Sequence, residues 1–169
     1  VAIIGPSASG PALAVVELAK KYKTPLISCA VSYKIVTDEA TGKQREWVFK
    51  VPQSDTMAVE AVYTHLNKRG LKKAAIMSST SGFGKSGKGE LERLAPQFGI
   101  DLVANETYGP QDSDLTAQLT KIKGTDAQVI INWTVGPAQV TVLRNWKDLG
   151  MTDRTFYQSH GLGSRKNIE

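Results

Sequence analysis

Short apolar runs alternate with amphipathic helical segments along most of this sequence, and this alternation constrains the fold more than any other feature. The run VAIIG, the stretch PALAVVELAKKY and the run PLISC predict a βαβ unit with two parallel strands. The same order returns after residue 70, where helical segments separate four further predicted strands: KKAAIMSS, IDLVANETYG, AQVIINWTVG and RTFYQSHG. The sequence therefore predicts an α/β fold with Rossmann-like parallel sheets flanked by helices.

The frequency of strands changes near Val51 and Pro52. Two or three strands precede this point, and the last of them, WVFKVP, ends at a proline that cannot donate a ladder hydrogen bond. Residues 1–51 hold too few strands for a well-covered sheet, whereas residues 52–169 hold nearly enough for a complete one. We therefore expect residues 1–51 to be part of one lobe and residues 52–169 to be a second, nearly complete lobe.

The composition excludes several classes of protein. Apolar residues make up 41% of the chain and charged residues 22%, which is typical of a globular protein and not of a disordered one. The net charge is +5, but the lysines are scattered or lie at predicted helix ends, as Lys20 and Lys21 do, so no nucleic-acid partner is expected. The chain begins inside an apolar run, so no export signal is visible in it.

Cys29 is the single cysteine, which excludes an intrachain disulfide and a zinc site built on paired cysteines. Because it follows an apolar strand, we expect it to be buried as a packing residue. We expect no catalytic residue, no metal site and no cofactor.

The segment GFGKSGKG, from Gly82 to Gly89, is close to the phosphate-binding loop G-x-x-x-x-G-K. Gly89 stands where that motif needs Ser or Thr, and the strand VIINW ends without an Asp for the magnesium ion. A P-loop-like nucleotide hydrolase that uses Lys88 is one interpretation. A glycine-rich turn that leads into a helix is the other.

Small residues follow the first predicted strand in GPSASG, from Gly5 to Gly10. Ser7 and Ser9 replace glycines of the dinucleotide-binding and hydrolase motifs, so neither motif matches. The segment opens onto a helix N-terminus, where it could receive a carboxylate, or Ser7 or Ser9 could simply cap the helix. Ser32 and His160 each follow another predicted strand at its carboxyl end, and a ligand contact and a local role are both open for each.

Several blocks resemble, in order, the branched-chain amino-acid-binding family of periplasmic ABC-transporter solute-binding proteins. These blocks are VAIIGPSASGPALA, PLISCAVS, WVFKVPQSD, AAIMSSTSGFGKSG, VIINWTVGPAQVTVLRNWKDLG and FYQSHGLG. The resemblance implies the type I periplasmic-binding fold, also called the venus-flytrap fold, with a near-complete second lobe and part of the first. It covers the whole chain but only the middle of the family's length, which implies a central fragment.

This resemblance implies an extracytoplasmic solute-binding component of an ABC importer, in the periplasm or outside the cell. The expected ligand, held in a cleft between the lobes, is a small carboxylate-bearing molecule: a branched-chain or hydrophobic amino acid, or an aliphatic or aromatic acid. The expected macromolecular partner is a membrane permease, and the segment from Phe49 to Gln53 is the expected hinge. A ligand-sensing domain of a receptor or regulator is an alternative, and two copies of the fragment could pair.

The family's ligand contacts carry over to two groups of residues. The first lobe would contribute Ser7, Ala8, Ser9, Ala30, Val31 and Ser32, and the second lobe Phe83, Trp133, Val135 and His160. Members of this family commonly place an acidic residue at the position of His160 and a tyrosine at that of Phe83. These two departures favour an acid without an α-ammonium group, with Trp133 as a stacking surface.

Overall fold

Residues 1–160 and residue 162 are described by the computed structural model, which divides the chain into two units, Val1–Ala58 and Val59–Glu169. All pairings between the seven strands of the described residues are parallel, and one isolated antiparallel bridge joins Thr37 and Gln44. The predicted fold class, parallel sheets flanked by helices, is confirmed. The predicted lobe boundary at residues 51 and 52 stays a prediction.

The first unit contains a three-stranded sheet of order β1-β2-β3. Its strands are β1 (Ile3–Ile4), β2 (Leu26–Ser28) and β3 (Val48–Lys50), and helix α1 (Ser9–Tyr22) joins the first two. A short 3-10 helix, Tyr33–Ile35, follows β2. Buried side chains of α1, among them Ala12 and Val16, pack on Leu26 and Val48, which lie on one face of the sheet.

Cys29 is exposed, so the prediction of a buried packing role is wrong. Its neighbours Ser28 and Ala30 are buried. Successive residues of an extended chain point to opposite sides, so the two buried neighbours turn the Cys29 side chain toward solvent.

The second unit contains a four-stranded sheet of order β5-β4-β6-β7. Its strands are β4 (Lys73–Ser79), β5 (Asp101–Tyr108), β6 (Val129–Trp133) and β7 (Thr155–Gln158). All five residues of β6 and the last six of β4 are buried, as expected for the central strands of a covered parallel sheet. The chain leads from β4 to one edge of the sheet, at β5, and from β6 to the other edge, at β7. The carboxyl ends of β4 and β6 therefore form a topological switch point.

Four helices accompany this sheet: α2 (Asp55–Lys68), which begins in the first unit, α3 (Gly82–Phe98), α4 (Thr116–Lys123) and α5 (Ala138–Asp148). Leu119 of α4 and Val142 of α5 share a buried cluster with Ala75, Met77 and Ile130 of the sheet. Helices α2 and α3 are joined by the hydroxyl of Tyr63, which donates a 2.7 Å hydrogen bond to the carbonyl of Leu91.

Helix α3 begins at Gly82, earlier than the sequence pattern predicts. Ser81 precedes it and accepts a 3.1 Å hydrogen bond from the amide of Gly84. The glycine-rich segment therefore forms the first turns of a helix and not the open loop that surrounds a phosphate. Lys88 also lies within this helix, near Glu92, so the nucleotide-hydrolase interpretation loses its structural basis.

Two glycines of α3 differ sharply in their surroundings. A Cβ atom added at Gly87 would lie 2.0 Å from Nε1 of Trp133, whereas one added at Gly89 would meet nothing within 4 Å. Trp133 is 2% exposed, so its indole has little space into which it could move. Gly87 is thus required for the packing of α3 against the end of β6.

We predict that Gly87→Ala destabilises the protein by about 2 kcal/mol, because the added methyl group overpacks a buried contact. Gly89→Ala is the matched control, since it lies two residues further along the same helix. Its effect should be neutral or stabilising by up to about 1 kcal/mol, because alanine favours helix more than glycine does. Urea denaturation followed by circular dichroism measures both, and equal effects would contradict the packing argument.

Candidate functional site

The first group of predicted ligand residues lies where β1 leads into α1. Ser7 and Ala8 are exposed, and Ser9 is 2% exposed. Ala8 is the N-cap residue of α1, and no side-chain cap bond is made there, so the alternative in which Ser7 or Ser9 caps the helix is not supported. The Oγ atom of Ser9 is buried and has no hydrogen-bond partner within the described part of the chain.

The second group follows β2, and we call Ala30–Tyr33 the β2 turn. Ala30, Val31 and Ser32 are all buried. Two hydrogen bonds tie the residues just before this turn to the segment after β1: the Ser28 hydroxyl and the Cys29 amide donate to the carbonyl of Pro6, at 3.2 and 3.1 Å. The carboxyl ends of β1 and β2 are therefore held side by side, as the parallel pairing predicts.

The β2 turn also contacts the residues that follow β3, Val51–Asp55, which we call the crossing segment. The Lys50 ammonium donates to the carbonyl of Val31 at 2.9 Å and to that of Pro52 at 3.2 Å. The carboxylate of Asp55 accepts a 3.0 Å hydrogen bond from the amide of Tyr33. Burial lowers the pKa of Lys50, and the nearby Asp55 carboxylate opposes that shift.

A cavity of about 270 Å³ lies elsewhere in this unit, between α1 and residues 38–46. Arg45 in its lining lies 2.5 Å from the Glu17 carboxylate and 3.2 Å from that of Asp38. Because this cation is already paired and none of the predicted ligand residues lines the cavity, we do not assign the ligand to it.

In the second unit, the structure brings Phe83, Trp133 and His160 together. The Phe83 ring stacks on Trp133 with centroids 5.9 Å apart, and it meets His160 edge-on at 5.1 Å. Phe83 and Trp133 are buried, whereas His160 and Val135 are exposed. Trp133 does not present the open stacking surface that the sequence suggested, because its indole fits against Gly87.

A buried polar network connects the ends of the strands that carry these residues. The Tyr108 hydroxyl donates to Asn132 at 2.6 Å, and the Asn132 amide donates to Gln158 at 2.7 Å. The Ser159 hydroxyl donates to the Thr134 carbonyl at 2.7 Å. The network links the carboxyl ends of β5, β6 and β7 and thereby fixes the positions from which Trp133, Val135 and His160 project.

Sequence reasoning missed this network, although one signal was present. Asn132 is a lone polar residue in the apolar run VIINW, and a buried polar group in such a strand needs partners. No cluster of metal-ligating side chains occurs in residues 1–160, and none of the helices there is long and apolar enough to cross a membrane.

Burial raises the pKa of Tyr108 to about 12, although its contacts with Thr134 and Asn132 act in the opposite direction. An unfolded tyrosine ionises near pH 10. The stabilisation of the neutral phenol is therefore complete below about pH 10 and is lost as the pH rises toward 12, by about 2 to 3 kcal/mol in total.

We predict that the free energy of unfolding falls less steeply above about pH 10 in Tyr108→Phe than in the wild type. At neutral pH the variant should lose about 1 kcal/mol, because Asn132 loses a hydrogen-bond donor. Urea denaturation at about pH 8 and about pH 11 measures the two slopes. Tyr63, whose pKa is also raised by burial, is present in both proteins and cancels in the difference. Equal changes in the free energy of unfolding between the two pH values in both proteins would contradict the raised pKa of Tyr108.

A family model described as "Periplasmic binding protein" matches residues 1–166 of the chain. Among curated protein sequences, none matches. An extracellular ligand-binding receptor from Rhodopseudomonas palustris HaA2 superimposes with a TM-score of 0.88 and 27% identity, over 99% of this chain and 45% of that protein.

Two further solved structures are similar at lower identity. A branched-chain amino acid ABC transporter protein from Thermus thermophilus with bound valine has a TM-score of 0.82 and 19% identity, over 95% of this chain and 41% of its own. An ABC transporter solute-binding protein from R. palustris in complex with 4-hydroxybenzoate has a TM-score of 0.78 and 18% identity, over 93% and 42%.

These structures share the type I periplasmic-binding fold that the sequence blocks implied. The chain spans less than half the length of each of the three proteins. The match of the family model over nearly all of the sequence is decisive. This chain belongs to the periplasmic binding protein family.

Proposed function

We propose that this chain is part of an extracytoplasmic solute-binding protein of an ABC importer and that it binds a small carboxylate-bearing molecule. The observation that carries the proposal is the buried Oγ of Ser9 at the start of α1, which has no hydrogen-bond partner among the residues that the structure describes. Two structural neighbours support the ligand class. Valine and 4-hydroxybenzoate, which those proteins hold, both carry a carboxylate.

The start of α1 suits a carboxylate for a physical reason. The first amides of a helix have no acceptor within it, and the helix dipole places positive potential there. Pro11 has no amide hydrogen, so Ser9 and Gly10 supply the N–H groups of this first turn. A carboxylate beside them would accept from these amides and from the Ser9 hydroxyl without any lysine.

The residues of the β2 turn complete the proposed contacts of the first unit. Ala30 and Ser32 are the proposed contributors there, beside Ser7 and Ala8. Val31 is less suited than the resemblance implied, because its carbonyl accepts from both Lys50 and the amide of Asp55. The proposed ligand contacts of this unit therefore centre on Ser9 and Ser32.

The second unit offers an aromatic and histidine surface to the ligand. Phe83, Val135 and His160 are the proposed contacts, and the Trp133 ring stacks on that of Phe83. None of these residues is acidic, so none can neutralise an α-ammonium group. We therefore propose an aliphatic or aromatic acid without such a group as the preferred ligand. Its place in a cleft between two lobes, residues 1–51 and 52–169, remains a prediction from the family.

In this proposal no bond is made or broken. The protein would capture its ligand outside the cytoplasm and present it to a membrane permease. The pairing of two copies that the sequence allowed finds no support in the comparisons and is not part of the proposal.

We predict that Ser9→Ala weakens binding while it leaves the free protein as stable as before or slightly more so. The substitution removes a buried hydroxyl that has no partner among the described residues, so no hydrogen bond of the described structure is lost. The affinity for the acid should fall about tenfold, as expected when one hydrogen bond to a charged group is lost, about 1.4 kcal/mol. Isothermal calorimetry with 4-hydroxybenzoate and L-valine as probes, together with thermal unfolding, measures both quantities.

Ser28→Ala is the matched control for Ser9→Ala. The Ser28 hydroxyl donates to Pro6 and accepts from the amide of Ala30, so its loss should destabilise the protein by about 1 kcal/mol. If Ser9→Ala instead destabilised the protein and left the affinity for the bound probe unchanged, the proposed carboxylate contact would be wrong.

We predict that His160→Asp moves the preference toward an amino acid. An aspartate would pair with an α-ammonium group and repel a second carboxylate, whereas histidine does neither. The ratio of the affinities for L-valine and 4-hydroxybenzoate should rise about tenfold or more in the variant. His65→Asp, which makes the same substitution at an exposed position outside the proposed site, is the control. An unchanged ratio would remove His160 from the site.

A further inference from the structure

Lys50, the last residue of β3, contacts both the β2 turn and the crossing segment. Its ammonium lies 2.9 Å from the carbonyl oxygen of Val31 and 3.2 Å from that of Pro52. An ammonium has three donors, and two are thus used by the backbone. Burying a cation is costly unless such partners are present, so these contacts hold Lys50 in place.

Asp55, the last residue of the crossing segment, is bonded to two residues of the β2 turn. Its carboxylate accepts from the amide of Tyr33 at 3.0 Å and from that of Thr56 at 3.2 Å, and it is 1% exposed. Its own amide donates to the carbonyl of Val31 at 3.3 Å. Val31 is therefore held twice, by the Lys50 side chain and by the Asp55 backbone.

These contacts share one consequence for the β2 turn. The carbonyl of Val31 and the amide of Tyr33 are both bonded to residues of the chain that follow β3, on either side of Ser32. The peptide groups around Ser32 therefore cannot rotate unless Lys50 or Asp55 releases them. Because the crossing segment overlaps the predicted hinge at residues 51–53, a change in the hinge backbone would be transmitted to Ser32.

We infer that Lys50 and Asp55 are positioning residues that form a clamp between the β2 turn and the crossing segment. The clamp sets the direction of the Ser32 side chain and couples it to the hinge. The alternative for Lys50, direct pairing with the ligand carboxylate, is disfavoured by its two backbone carbonyl partners. The functional part of this inference rests on the proposed function, whereas the clamp itself is a property of the ligand-free chain.

Hydrogen–deuterium exchange of the ligand-free protein tests the clamp. In Lys50→Met and in Asp55→Ala, the amides of Tyr33 and Asp55 should exchange about tenfold faster, while those of β4 and β6 keep the wild-type rate. Asp55→Asn should remain near the wild type, because its amide oxygen can still accept from Tyr33. Lys68→Met and Asp153→Asn, at exposed positions, are the charge controls.

Two outcomes would overturn the inference. One is an unchanged exchange rate at Tyr33 in both Lys50→Met and Asp55→Ala. The other is faster exchange throughout β1, β2 and β4 to the same extent as in the turn, since that would show a general loss of structure.

A binding measurement tests the functional part separately. For whichever of 4-hydroxybenzoate and L-valine binds the wild type, the affinity should fall about tenfold in Lys50→Met and remain unchanged in Lys68→Met. An unchanged affinity together with faster turn exchange would refute the coupling to Ser32. If neither probe binds the wild type, the proposed ligand class fails, and the exchange experiment still decides whether the clamp exists.

Discussion

Parallel strand pairing is the constraint on which the rest of this structure depends. Parallel strands cannot be joined by tight hairpins, so each must be followed by a connection that leaves from the carboxyl end and returns to the opposite edge. In each unit the carboxyl ends meet at one edge, and the side chains that follow them lie close together whatever their separation in sequence. The proposed ligand residues all come after strands for this reason: Ser7, Ala8, Ser9, Ala30, Ser32, Phe83, Val135 and His160.

The same pairing explains why the order of elements could be predicted. A central parallel strand is buried on both faces, so it appears as a continuous apolar run, and the runs that form β4 and β6 could be recognised without any partner. The start of α3 could not be recognised in this way. Gly82–Gly89 has no helical apolar pattern, and its helix is fixed by tertiary contacts, in which Gly84 lies against Ser79 and Gly87 against Trp133.

For the candidate site, the sequence indicated which residues follow the strands but not which atoms are already in use. The Val31 carbonyl is bonded to Lys50, which lies 19 residues away, and only the fold brings the two together. The burial of Trp133 likewise depends on Gly87, because a side chain at that position would occupy the space of the indole. That requirement can be recognised only when the position of α3 is known. Hydrogen-bond partners and available space are properties of the tertiary structure, so residue identity and local pattern alone do not determine them.

Two kinds of buried polar group occur in the described residues: groups that have hydrogen-bond partners and groups that have none. A chain of hydrogen bonds joins Tyr108, Asn132 and Gln158 and stabilises the ends of the strands. Among residues 1–160, the Ser9 hydroxyl has no such partner, and neither do the buried Ser78 hydroxyl and the indoles of Trp133 and Trp146. Ser9 differs from these three in its place at a helix N-terminus, where neighbouring amides also lack acceptors and one anion would satisfy several donors at once. An unsatisfied group in that setting is what a binding site requires, because the free energy lost in the empty protein is recovered when the ligand binds.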